Sequence, residues 1–260
     1  MIHFCYYTYM LNKFFGIFDS HTVMIIVGVI FAFALAIIFL RYKKFSKREY
    51  LDLLICASGA VLFGIIFAIL FQNLYDLIEY QDAYKWQFRM TFFGGLFGGV
   101  LGFLFIYYVF LRKTTTLRIG EVLKIAPACV TLGHAFGRIG CFLSPCCYGK
   151  PSEQFGLYFP ELGYKAIPTQ MYEFIFLFIL SGVLICLAFK KDFKYSFVIY
   201  LTAYSIFRFV IEFFRGDDRG SFFLYLSPSQ IWCIILLVAT VPLILLVNKT
   251  LYKVESHDEE

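Results

Sequence analysis

The stretch VMIIVGVIFAFALAIIFL, from Val23 to Leu40, is an unbroken apolar run without a charged side chain. A bilayer's hydrocarbon core needs about 20 such residues in helical form, because in lipid the backbone must satisfy its own hydrogen bonds. Val23–Leu40 therefore reads as a transmembrane helix. Phe92–Leu111 and Ile231–Val247 read the same way, and Leu51–Phe71, Ile119–Gly137, Met171–Phe189 and Ser196–Phe214 are apolar runs interrupted by polar or small residues. The expectation is an all-α polytopic membrane protein of seven spans, one integral-membrane domain over residues 1–260, with a lipid-accessible polar cavity.

Composition supports that class. The chain is 60% hydrophobic and only 16% charged, with mean hydropathy +0.75, which excludes an ordinary soluble domain. Its formal charge of +5 comes from Lys and Arg concentrated in connections, so no separate nucleic-acid patch is expected. Arg41–Arg48, Arg112–Arg118 and Lys190–Lys194 are the basic connections. By the positive-inside rule they face the cytoplasm together with the C-terminal tail, which places the N-terminus, Tyr75–Arg89, Cys141–Pro168 and Arg215–Leu226 outside. Met1–Ser20 carries only Lys13 as a basic residue and no small-residue cleavage site, so it is expected to lie along the outer interface rather than be removed. Glu255–Glu260 is expected to be a frayed acidic tail.

Against this apolar background the ionisable residues stand out. Arg138 ends an apolar helical run in GHAFGRIGCF (Gly133–Phe142), between Gly137 and Gly140. A cation near hydrocarbon requires a partner, and a guanidinium with glycines beside it suits a phosphate. His134 lies four residues earlier, one turn away on the same face, and is a candidate general base. Tyr204, Arg208, Glu212 and Arg215 form one helical stripe in which two arginines meet one carboxylate, and the surplus positive charge invites an anionic ligand. Pro168 opens a helix in which Gln170 and Glu173 lie one turn apart and Tyr172 sits at interface level; these are candidate cavity residues. The glycines of FFGGLFGGVLG (Phe92–Gly102) read chiefly as a close helix contact, with room for a lipid tail as the alternative.

The cysteines divide into two groups. Cys5, Cys56, Cys129, Cys186 and Cys233 are scattered through apolar surroundings as small hydrophobes, whereas Cys141, Cys146 and Cys147 cluster in CFLSPCCYG. Packing, or a disulfide from Cys141 to Cys146 or Cys147, is the expected use of that cluster. A zinc site would need a fourth ligand, and His134 is the one nearby histidine the sequence offers, so no metal is expected.

Taken in order, these motifs resemble the prolipoprotein diacylglyceryl transferase family. Gly-Arg-Ile-Gly-Cys-Phe (Gly137–Phe142) with Tyr148–Lys150 is similar to its Gly-Arg-x-Gly-Asn-Phe signature, Pro168–Glu173 to its Pro-Ser-Gln-Leu-Tyr-Glu segment, and Tyr204, Arg208, Glu212 and Arg215 to its Tyr-x3-Arg-x3-Glu-x2-Arg helix. Ser229-Gln230 is similar to the Gly-Gln that opens the family's last span. The resemblance implies transfer of the diacylglyceryl group from phosphatidylglycerol to the lipobox cysteine of prolipoprotein signal peptides, in the bacterial inner membrane and without a cofactor. Arg138, Arg208, His134 and Tyr204 would carry the reaction, with Gly137, Gly140, Cys141, Gln170, Tyr172, Glu173, Glu212 and Arg215 around the substrate. Phe93 stands where well-known members have a histidine, Cys141 where they have asparagine, and Cys146 where they have glutamate. Those departures keep two alternatives in view: transfer of a phospholipid-derived group to another acceptor, and a lipid-binding protein without the chemistry.

Overall fold

A computed structural model describes residues 13–14, 18–80, 85–86, 88, 90–117, 119–144, 146–190, 193–216 and 226–255. Among them, seven helices are long and apolar enough to cross a membrane. They are α1 (Ser20–Tyr42), α2 (Lys47–Tyr80), α3 (Phe92–Phe105, continued by a π-helical turn Ile106–Leu111), α4 (Ile119–Leu143), α5 (Thr169–Lys190), α6 (Ser196–Ile211, closed by a 3-10 turn Glu212–Phe214) and α7 (Pro228–Glu255). The protein is an all-α, multi-pass membrane protein. Helix α2 has 34 residues, roughly 50 Å at 1.5 Å per residue, and so exceeds the hydrocarbon thickness. Most of the segment before α1 and all of 256–260 lie outside the described residues, as do Cys5, Arg89, Arg118 and residues 191–192 of the expected connections.

The chain divides into two compact units, residues 40–118 and residues 1–39 with 119–260. The first is built on the contact of α2 with α3. Thr91 caps α3 by accepting a hydrogen bond from the Gly94 amide at 3.0 Å. Gly94, Gly98 and Gly102, four residues apart and all buried, then form a row lying on α2. A Cβ at Gly102 would come within 2.6 Å of the Phe63 Cβ, and one at Gly94 within 2.8 Å of the Phe67 carbonyl. The glycine row is therefore a close helix contact, the first of its two readings.

The second unit holds α1, α4, α5, α6 and α7. Gly28 of α1 meets the backbone of Gly133 in α4, where an added Cβ would lie 2.8 Å from the carbonyl oxygen, and Phe31 stacks on Phe136 at 4.9 Å. Phe176 of α5 and Phe207 of α6 stack at 4.0 Å. Pro127 removes one backbone donor inside α4, and Thr131 adds a bond to the Pro127 carbonyl at 2.6 Å. The α4–α5 connection carries a small antiparallel hairpin, β1 (Leu157–Phe159) with β2 (Tyr164–Ala166), whose turn contains Gly163 at φ 71°. Backbone bonds tie this connection to its neighbours: the Gly149 amide donates to the Ile167 carbonyl at 2.8 Å and the Lys150 amide to the Phe214 carbonyl at 2.8 Å. The end of α4, the start of α5 and the end of α6 are thereby fixed beside one another.

Candidate active site

Glu173 is the hub. It sits in the first turns of α5, 1% exposed, because Pro168 sets the helix start and places Gln170 and Glu173 on the inward face. Its Oε1 lies 3.0 Å from Nη2 of Arg138 in the last turns of α4 and accepts the Tyr204 phenol of α6 at 2.9 Å. His134 Nε2 is 3.9 Å from the same oxygen, beyond hydrogen-bond range, and its ring stands edge-on to Tyr204 at 5.1 Å. Glu173 Oε2 is 3.7 Å from Nη1 of Arg208. One carboxylate of α5 thus gathers groups from two other helices, α4 and α6.

Arg208 continues the network. Its Nη2 lies 2.7 Å from Glu212 Oε2, the i to i+4 pair of the sequence stripe, and donates to Ser229 Oγ of α7 at 3.3 Å. Arg215 Nε reaches the same Glu212 oxygen at 3.9 Å, and Ser227 donates to Glu212 Oε1 at 2.9 Å. Ser227 also caps α7: its amide donates to Gln230 Oε1 at 3.0 Å, while its Oγ accepts the Gln230 amide at 3.3 Å. Arg138, Arg208 and Arg215 are all buried, and three guanidinium groups face two carboxylates. Among the described residues, Arg138 and Arg208 thus converge on Glu173 in a low-dielectric setting, where guanidinium groups are strong partners for an anion.

The structure brings together Arg138, His134, Tyr204, Glu173, Arg208, Glu212 and Arg215 from the sequence set. Cys141 adjoins them, its Sγ 3.9 Å from Arg138 Nη1. Gln170 is buried beneath the α4–α5 connection and donates to the Cys146 carbonyl at 2.7 Å, while its Oε1 is buried without a donor among the described residues. Tyr172, one residue before Glu173, is 41% exposed on another face of α5, away from this network. The two signature glycines differ in use. A Cβ at Gly137 would meet nothing within 4 Å, whereas one at Gly140 would press on His21 of α1, with its Cα at 3.1 Å and Cδ2 at 3.2 Å.

Three participants were not singled out from sequence as part of this network. Ser227 precedes its span unobtrusively, and only its three-residue spacing to Gln230 signals a cap. Thr169 donates to the Cys147 carbonyl at 2.7 Å, and a threonine beside Pro168 looks like any helix start. His21 also hydrogen-bonds the Cys141 thiol, a contact between residues 120 positions apart that no local pattern announces. The three clustered cysteines are unbridged, with their sulfur atoms all within 4.8 Å of one another, so of the two expected uses, packing or a disulfide, the disulfide is not the one seen. Hydrogen bonds to the sulfurs of Cys141 and Cys147 push the Cys146 thiol above the usual cysteine range.

A model of the prolipoprotein diacylglyceryl transferase family matches residues 14–246. The chain belongs to this family. It is 38% identical over 117 residues to the phosphatidylglycerol–prolipoprotein diacylglyceryl transferase of Clostridium tetani, covering 42% of this chain and 47% of that protein. To the second such transferase of Clostridium perfringens it is 39% identical over 128 residues, 45% of this chain and 50% of the relative. The corresponding protein of Chlorobaculum tepidum is 35% identical over 115 residues, 42% and 40% of the two chains. The chain spans about half the length of the curated relatives it matches. Phe93 lies near the start of α3 with its ring edge-on to Phe92 at 5.6 Å.

Proposed function

We propose that this chain transfers the diacylglyceryl group of phosphatidylglycerol to the cysteine thiol of a prolipoprotein lipobox. The observation that carries the reading is the buried cluster in which the guanidinium groups of Arg138 and Arg208, from two helices, converge on Glu173. Membership of the transferase family supports the substrate class.

In this reading Arg138 and Arg208 bind the phosphate of the lipid headgroup. The acceptor thiol loses its proton to His134, and the thiolate attacks the glycerol carbon that carries the phosphate. A carbon–sulfur bond forms, the carbon–oxygen bond breaks, and glycerol phosphate leaves with the electron pair. The charge that grows on the leaving phosphate is met by the guanidinium groups, so they bind the transition state more tightly than the ground state. Tyr204 and Glu173 hold Arg138 in place, Glu212 does the same for Arg208 and Arg215, and the Gln170 carbonyl accepts from a hydroxyl of the headgroup. Gly137 leaves open space beside Arg138 for the lipid.

The site faces the outer leaflet of the bacterial plasma membrane in this reading, with Arg41–Arg48 in the cytoplasm. Accessibility labelling that finds Lys43 and Lys150 on one side would overturn the orientation. Phe93, Cys141 and Cys146 favour a second reading, lipid binding without transfer or transfer to another acceptor, because each replaces a polar group of the family pattern. Expression in a bacterium depleted of its own transferase separates them. Restored viability and lipoprotein mobility support prolipoprotein transfer, whereas normal accumulation without rescue supports the second reading.

A further inference from the structure

Beside the arginine network lies a second cluster that the transfer chemistry does not require. Cys141 lies in the last turn of α4, Cys146 and Cys147 follow in the connection, and their sulfurs lie within 4.8 Å of one another. From the first turn of α1, His21 hydrogen-bonds Cys141, held close because position 140 is glycine. We propose that Cys141, Cys146, Cys147 and His21 form a binding site for a thiophilic metal ion of the zinc type.

The donor set fits the ion. Three thiolates and one imidazole are a standard tetrahedral complement for zinc, and soft sulfur donors exclude magnesium or calcium. With zinc–sulfur bonds of about 2.3 Å, tetrahedral sulfurs stand roughly 3.8 Å apart, so the three sulfurs need to close by about 1 Å at most, and the His21 ring, outside that group, must swing in as the fourth ligand. Rotation of side chains in the 146–147 turn supplies the movement of the sulfurs. Thiols shed their protons to solvent on binding, so three thiolates and a divalent ion carry one net negative charge. Arg138, 3.9 Å from the Cys141 sulfur, offsets it.

The backbone around the cluster is already set for this purpose. Cys147 has φ 65°, a left-handed conformation that a cysteine adopts at some cost, and it turns the two adjacent sulfurs toward Cys141. Gln170 and Thr169 hold that turn by hydrogen bonds to the Cys146 and Cys147 carbonyls, each at 2.7 Å. A metal there would pin the α4–α5 connection to α1. It would also fix the helix end that carries Arg138, while leaving the arginine to its carboxylate.

The test does not depend on transfer activity. The full chain, purified in detergent and reduced without oxygen, is titrated with cobalt(II) and then with zinc(II). The site predicts one cobalt ion per chain with sulfur-to-metal charge-transfer absorption, displaced by zinc. Cys146→Ser and Cys147→Ser should each abolish that absorption, His21→Gln should weaken binding by more than about tenfold, and Cys186→Ser, an exposed thiol on α5, should change nothing. Absence of the absorption in the unmutated chain, or its persistence in both serine variants, overturns the proposal; so does undiminished affinity in His21→Gln. Should the serine variants fail to accumulate, maleimide labelling of the unmutated chain decides: zinc must slow alkylation at Cys146, and an unchanged rate refutes the site. A disulfide from Cys141 to Cys146 or Cys147 in protein taken from native membranes without oxidant refutes it as well.

Discussion

The α2–α3 contact and the Glu173 cluster both join helices inside a membrane, and they do so by opposite means. In the first, glycines at 94, 98 and 102 let two backbones approach until phenylalanine side chains fill the groove. Dispersion and fit hold that contact, and hydrocarbon tails compete with it only weakly once the surfaces match. In the second, guanidinium groups from α4 and α6 converge on one carboxylate of α5, although removing each charge from water is expensive. Membrane helices can associate without such charges, as the glycine contact demonstrates. The proposed use of this costly buried cluster is binding a lipid phosphate, and substitutions within it test that use.

Breaking the hub should produce the largest effect. Glu173→Ala leaves Arg138 and Arg208 buried without their shared carboxylate, and a loss of about 3–5 kcal/mol of stability is expected. The variant should accumulate poorly and show no lipid transfer; near-normal accumulation and thermal stability would mean that the arginines find other partners. Arg138→Lys and Arg208→Lys are gentler. A point charge keeps the local balance but cannot form the two parallel bonds to a phosphate, so transfer should fall about a hundredfold or more while protein level holds. His134→Gln should likewise cost about a hundredfold in rate, with lipid binding retained, if the imidazole is the proton acceptor. Wild-type turnover in that variant would remove His134 from the mechanism.

On the other side of the comparison, Gly98→Ala is a purely steric probe. It should lower stability by about 1–3 kcal/mol through overpacking against α2 and leave the turnover of the folded fraction unchanged. A specific loss of turnover without a change in stability would instead join the glycine row to the reaction. The smallest effect belongs to Tyr172→Phe. Because Tyr172 is half-exposed beside the buried Glu173, its phenol should matter little, within about 0.5 kcal/mol in thermal stability.

The two regions also differ in how legible they are in the sequence. Seven apolar stretches mark the spans, because the hydrocarbon core imposes length and composition together. The glycine row is visible as a spacing of four that favours a close contact over room for a lipid tail, and the approach of the Phe63 and Phe67 groups decides between them. Within the cluster, the Arg208–Glu212 pair could be read from one helix because i and i+4 share a face. The meeting of Arg138 with Glu173 could not, since it joins two helices across a connection whose path is set by backbone bonds such as Gly149 to Ile167. Tyr172 and Glu173 illustrate the same limit: adjacent residues on a helix point about 100° apart, and the sequence names both without saying which faces inward. His21 was hidden for a further reason. Its relation to Cys141 depends on Gly140 and on the packing of α1, and neither leaves a mark at position 21.

The central proposal is that the arginines of this cluster serve a lipid phosphate during group transfer. Its most direct test is turnover of labelled phosphatidylglycerol with a lipobox peptide by the purified chain, beside an Arg208→Ala variant matched for folding. Thioether-linked diacylglyceryl peptide formed by the unmutated chain and abolished in the variant is the predicted result. Equal turnover in the two folded proteins, or none in the unmutated chain, would contradict it.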